Sequence, residues 1–166
     1  MISDISGDGK ENVYIATDGN GVHFLSHKDQ CVTRSFCHDI RDKEGIRSNS
    51  IYSLLVDNRG ALWVGHFQAG LDYSLYQNGL FSTYSFPPLF NSTNLSVRSF
   101  LNRGKEKVIG SRDGLFYINE STGTVKSFVR PVLTSDLILT ISFYEGEYYI
   151  CLLYTSPSPR DMRRYR

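Results

Sequence analysis

Few of the 166 residues have the types and spacing that chemistry requires. Asp4-Ile5-Ser6-Gly7-Asp8-Gly9 starts like a calcium loop, in which carboxylates converge on one cation. Such a loop needs a bidentate Glu at its twelfth position, and Ile15 stands there. His23, His27, His38 and His66 lack HExxH or paired-Cys spacing, so no zinc site is expected. Gly110-Ser111-Arg112-Asp113-Gly114 is flanked by glycines, yet it is neither a nucleophile elbow nor a phosphate-binding loop. No catalytic residue and no cofactor is therefore expected. Cys31 and Cys37 lie six positions apart. They could bridge in an oxidising compartment, or opposite faces of one strand could keep them apart. What remains is a polar set: Asp18, Asn20, Arg47, Asn49, His66, Gln68, Asn94, Arg112 and Asp113. Such groups hydrogen-bond sugar hydroxyls or pair with carboxylates, and they are also what ordinary loops carry. Their meaning depends on whether the chain brings them to one face.

Composition narrows the scaffold that could do so. Hydrophobic residues are 40% and charged residues 21%, enough apolar surface to offset chain entropy, so the chain is globular. Eleven Tyr, 10 Phe and 14 Gly lean toward β structure, where flat side chains pack on pleated faces. A formal charge of +1 gives bulk electrostatics no role in binding nucleic acid or an anionic membrane. No apolar run is long enough to cross a membrane as a helix. The start, MISDISGDGK, has neither the basic region nor the apolar core of a signal peptide.

An internal repeat supplies the positioning elements. Residues Ile51–Tyr76, IYSLLVDNRGALWVGHFQAGLDYSLY, read as strand, tight turn, strand, Gly-rich loop, strand. Ile2–Leu25 follows the same plan: Ile2 precedes Ala16 by 14 positions, as Ile51 precedes Gly65. Val97–Ile118 is a slightly shorter copy, and a fourth copy runs from Ile138 to Ile150. The anchors Ala16, Gly65, Gly110 and the residue after Ile150 are 49, 45 and 41 positions apart, which suits four-stranded propeller blades. In the second copy, strands are expected at Ile51–Val56, Ala61–Phe67, Leu71–Tyr76 and Leu80–Phe86, denoted a to d. The expected fold is thus an all-β propeller fragment, an open arc of three four-stranded blades plus part of a fourth. Boundaries fall near residues 2–45, 46–90, 91–134 and 135–150. In that arrangement the b–c loops and the d–a connectors share one face, where the polar set would gather.

The stretch Asn49–Leu71, NSIYSLLVDNRGALWVGHFQAGL, closely resembles the two-component regulator propeller repeat. The matching residues are Asn49, Ile51, Asp57, Gly60, Leu62, Trp63, Val64, Gly65, Gly70 and Leu71, while His66 replaces the usual Thr. The first copy keeps Thr17, Gly19 and Gly21, and the third keeps Val108, Ile109, Gly110, Ser111, Gly114 and Leu115. This resemblance implies the extracytoplasmic, periplasmic sensor part of a bacterial hybrid two-component histidine kinase in the inner membrane. It also implies an oligosaccharide ligand, a carbohydrate-linked signal and a homodimeric receptor whose kinase lies elsewhere in the chain. This segment itself would contact neither nucleic acid nor membrane. Two alternatives stand beside it: a protein-interaction scaffold like the WD-repeat propellers, and a piece of a propeller polysaccharide lyase.

The last 16 residues break the repeat. Cys151–Asp161, CLLYTSPSPRD, resembles the translation of a transposase adapter used in sequencing libraries, which implies that residues 151–166 are not native. Four Arg and one Asp lie there, and without them the formal charge becomes −2. Ile2 already belongs to a first strand, so the chain is expected to be a cut arc with open end faces, prone to self-association.

Overall fold

The computed structural model describes residues 1–10, 12–75, 79–84, 95–128 and 137–153. Among them every regular element is a strand, and the strands form four antiparallel sheets in chain order. The first sheet holds β1 (Ile2–Gly7), β2 (Val13–Thr17), β3 (Val22–Ser26) and β4 (Cys31–Phe36). The second holds β5 (Ile51–Val56), β6 (Leu62–His66), β7 (Leu71–Ser74) and β8 (Ser82–Thr83). The third holds β9 (Val97–Arg103), β10 (Glu106–Ser111), β11 (Gly114–Asn119) and β12 (Thr124–Phe128). The fourth pairs β13 (Ile138–Tyr144) with β14 (Glu147–Leu152). These are propeller blades in an open arc. The expected strand order holds within every sheet, with β7 and β8 shorter than expected, while residues 76–78 and 85–94 lie outside the described residues. Strand β14 runs two residues past Ile150, pairing Cys151 with Thr140 and Leu152 with Ile138. Residues 154–166 lie outside the described residues.

Short turns join strands a and b of each blade, and Asp57 shows how one is made. Its carboxylate accepts the amides of Arg59 at 2.9 Å and Ala61 at 3.0 Å, and the Trp63 indole N–H at 3.2 Å. Asp8 does the same for Lys10 and Asn12. Asp side chains favour such turns because they satisfy backbone donors locally. The calcium-loop resemblance of residues 4–9 is therefore a hairpin: Asp8 closes the turn, and Asp4 accepts the Leu54 amide at 2.7 Å.

Successive blades stack through their alternating apolar faces. Tyr14, Val22, Leu54, Leu62 and Val64 fill the space between blades 1 and 2. Trp63, Leu71, Ile109, Phe116 and Ile118 fill that between blades 2 and 3. The first strands also touch directly: Ser3 Oγ donates to Ile51 O at 2.6 Å, and Ser53 Oγ to Val97 O at 3.1 Å. Contact is closest at the repeated glycine of strand b. A Cβ on Gly65 would collide with Ser53 Oγ and lie 2.7 Å from Val97 Cγ1. A Cβ on Gly110 would collide with Ser99 Oγ and lie 2.6 Å from Ile138 Cγ2. The glycine thus answers to the neighbouring blade.

Cys31 and Cys37 are free and exposed. Strand β4 is extended from Cys31 to Phe36, which separates its ends by about 17 Å, whereas a disulfide needs Cα atoms within about 7 Å. The two do not bridge in this fold.

Gly110→Ala is expected to destabilise the chain by about 1–3 kcal/mol through overpacking, read as a lower denaturation midpoint. Gly7→Ala, whose Cβ would meet only Asn12 O at 3.8 Å, is the control and should cost far less.

Candidate ligand-binding rim

In each blade, the end of strand b, the b–c loop and the start of strand a lie at the same end of the sheet. Backbone hydrogen bonds tie these loops to the connector of the next blade. Gly19 N and Gly21 N donate to Asn49 O at 3.0 and 2.9 Å, and Gly70 N donates to Leu95 O at 2.8 Å. Phe67 N reaches Ser50 O, and Ser50 forms a bridge with Asp18. Arg112 N reaches Ser96 O at 3.0 Å, and Gln68 N reaches Ser96 Oγ at 3.1 Å. A continuous rim results across blades 1 to 3.

The rim holds the predicted residues in two different states. Asp18, Asn20, Gln68, Arg112 and Asp113 are exposed, and Ser96 holds the backbones of Gln68 and Arg112 side by side. Asn49 is half-buried, and its Oδ1 accepts the His38 amide at 2.7 Å. Asn94 lies outside the described residues. His66 and Arg47 instead meet at the buried Asp72, His66 from within and Arg47 from the exposed side. His66 is 0% exposed, and its Nε2 lies 2.8 Å from Asp72 Oδ2. Arg47 donates to the same carboxylate from Nε at 2.7 Å and from its backbone N at 3.0 Å. Thr83 Oγ1 adds a bond of 3.2 Å.

The neighbouring repeats explain why His66 is exceptional. Thr17 Oγ1 and Ser111 Oγ donate to the carbonyls of Gly21 and Gly114, which close their b–c loops. His66 gives up that bond and reaches across to strand β7. Sequence reasoning marked His66 and missed Asp72, because only the β6–β7 register reveals the pairing of these two strands.

Three further residues on the rim escaped the sequence reading. The inner strands carry a bulge at Ser3, Tyr52, Arg98 and Leu139, the residue skipped by each ladder. A bulge re-aims its side chain away from the sheet. Tyr52 packs on Phe67 with ring centroids 5.0 Å apart, and the Arg98 guanidinium carbon lies 5.1 Å from the Tyr52 centroid. The recurring bulge position was the available signal, and strand periodicity alone hides it.

Three grooves elsewhere among the described residues hold none of the predicted residues. Two lie at the opposite end, by the a–b turns. One of about 420 Å³ lies between Asp8–Lys10 and Asn58–Gly60, and one of about 330 Å³ is lined by Arg59, Lys105 and Glu120. An apolar groove of about 400 Å³ runs along Val108, Leu115, Tyr117, Phe128 and Ile150. No group of three His, Cys, Asp or Glu able to hold a metal occurs among the described residues.

Residues 45–68 match the family model described as the two component regulator propeller. The match covers the connector into blade 2 and its strands β5 and β6. No curated protein matches the chain in sequence. Solved structures share the propeller fold of this repeat. One is the extracellular domain of a B. thetaiotaomicron protein, BT3049, described as a hybrid two component system. It has 22% identity, a TM-score of 0.73, and coverage of 91% of this chain and 19% of that one. A second is the extracellular domain of BT4673 from the same organism, with 21% identity, a TM-score of 0.66, and coverage of 90% and 26%. A third is the Swd1 β-propeller domain of Myceliophteria thermophila, with 15% identity, a TM-score of 0.66, and coverage of 90% and 48%. The chain thus spans about a fifth to a quarter of the two extracellular domains.

Burial would raise the Asp72 carboxyl, but the hydrogen bond from His66 and the charges of His66 and Arg47 outweigh it and hold it below the ordinary 3.8. Burial acts likewise on Asp57, where bonds from Trp63 and from the Ala61 and Arg59 amides prevail. A carboxyl depressed in the folded state contributes stability that is complete above its ordinary value and lost as pH falls through the folded one. Thermal melts should therefore show stability falling on acidification below about pH 4. Asp72→Asn should cost about 2 kcal/mol at neutral pH and flatten that acid dependence. An unchanged acid slope would remove Asp72 from the account.

Proposed function

We propose that this chain is part of the ligand-sensing, extracytoplasmic propeller of a bacterial hybrid two-component sensor kinase responding to carbohydrate. The observation that carries this reading is the two component regulator propeller repeat at residues 45–68. The fold of the extracellular domains of BT3049 and BT4673 supports it. In this reading the segment recognises and does not catalyse, and it lies in the periplasm. The receptor works as a homodimer, and the kinase is carried by another part of the protein.

The rim is the surface that suits an oligosaccharide. Its exposed Asp18, Asn20, Gln68, Arg112 and Asp113 present donors and acceptors from three consecutive blades. Sugar hydroxyls are met by such convergent polar groups, and sugar faces by aromatic rings. A ligand that touches several blades prefers one mutual arrangement of them, and that differential affinity is what a receptor transmits.

Calorimetric titration of the chain with a panel of neutral and acidic oligosaccharides tests the reading. At least one should bind, and Gln68→Ala combined with Arg112→Ala should weaken it about tenfold. Binding unaffected by both changes would exclude the rim. Sequencing the gene beyond this segment should reveal a membrane-spanning helix and a histidine kinase core. A stop codon soon after a last blade would contradict the sensor role.

A further inference from the structure

The geometry points to Arg98 as the residue that selects an acidic sugar, one whose ring carries a carboxylate or a sulfate. Arg98 is the bulged residue of β9: Val97 pairs with Ser111 and Ser99 with Gly110, so Arg98 leaves the ladder. Its guanidinium carbon lies 5.1 Å from the centroid of Tyr52, itself the bulged residue of β5. Tyr52 in turn packs at 5.0 Å against Phe67, which is 37% exposed on the rim.

Arg98 differs from four other arginines of the chain. Arg41 pairs with Asp39, Arg47 with Asp72, and Arg59 with Asp57 and Glu120. Arg103 donates to the Tyr148 hydroxyl at 2.6 Å. Among the described residues Arg98 pairs with no carboxylate, and its Nε is buried without a hydrogen-bond partner. Arg98 is half-buried, and with no carboxylate beside it the charge of its guanidinium is left for a bound oxyanion to meet. The planar guanidinium fork matches a carboxylate or sulfate with two parallel hydrogen bonds, and stacking on Tyr52 holds it in orientation.

Beside it the rim supplies what a sugar ring needs. Phe67 offers an aromatic face for the apolar side of the ring. Gln68 follows it with a left-handed backbone, φ 53°, and Ser96 Oγ fixes that loop. Arg112, held by Ser96 O, stands on the neighbouring b–c loop. An oxyanion at Arg98 and a ring on Phe67 thus place hydroxyls within the span of Gln68 and Arg112. This inference rests on the carbohydrate reading above and adds the charge of the ligand. An acidic peptide shares the oxyanion but lacks the stacking face and ring hydroxyls, so the aromatic platform favours the sugar.

The test is calorimetric titration of the complete chain with four probes: digalacturonate, its carboxyl-reduced neutral form, a sulfated neutral disaccharide, and an oligoglutamate peptide. Digalacturonate or the sulfated sugar should bind at least about tenfold more tightly than the neutral form. The stronger of the two identifies the oxyanion. Arg98→Gln should abolish that preference, so that acidic and neutral forms bind alike. Arg98→Lys, which keeps the charge without the fork, should lose most of it, and thermal melts verify that both variants fold. Equal binding of neutral and acidic sugars would overturn the role of Arg98 and leave the carbohydrate reading standing. An acidic preference that survives Arg98→Gln would do the same. Binding of the peptide alone, or of no probe, would overturn both.

Discussion

Everything in this arc depends on how closely one blade approaches the next. At Gly65 and Gly110 the gap to the following first strand leaves no room for a single carbon. That closeness lets Ser53 Oγ reach Val97 O across the blade boundary. It also brings each b–c loop within hydrogen-bonding distance of the following connector, as Gly21 with Asn49 and Gly70 with Leu95 show. The rim is continuous because the blades are close, and at the two later boundaries a glycine without a Cβ permits that approach. Blade 1 reaches a similar arrangement with Ala16, so the constraint is steric and local to each boundary.

Two charged networks reinforce opposite ends of this stack. At the a–b turns, Arg59 of blade 2 pairs with Glu120 of blade 3 at 2.6 Å. The buried Lys107 lies 3.4 Å from Glu120 and 3.8 Å from Asp57. At the rim end, Asp72 gathers His66, Arg47 and Thr83. Buried ion pairs of this kind are weak evidence for net stability, because desolvation offsets attraction. What they contribute is a penalty for separation: parting blades 2 and 3 would break the Arg59–Glu120 and Lys107–Asp57 pairs, which cross the boundary. A ligand on the rim therefore meets loops already held in place, which lowers the entropy cost of ordering them.

Much of the fold was legible in the sequence because its signals are local. Strand alternation, the Asp-x-x-Gly turn and the spacing from Ile51 to Gly65 each act within one blade, and each was matched by a strand or turn. The site was legible only in part. The polar loop residues could be assigned to one end of the blades, since loop order follows strand order. Burial could not be assigned that way. His66 and Arg47 looked like Gln68 and Arg112 in sequence, yet Asp72 on β7 engages the first two, with His66 buried and Arg47 paired at the surface. Tyr52 and Arg98 were invisible for a related reason. Regular alternation would place each on a sheet face, and the bulge that re-aims them appears only in the pairing register. The span from Cys31 to Cys37 was open in sequence and closed by the extension of β4.

The central claim is that ligand meets this chain at the b–c loop end and not at the a–b turn end, where two grooves lie. Amide chemical-shift mapping by NMR, with a bound acidic disaccharide, separates the two directly. The account predicts the largest shifts at Phe67, Gln68, Arg98 and Arg112, with Lys10, Arg59 and Lys105 unmoved. Shifts concentrated at Lys10, Arg59 and Lys105 would contradict it.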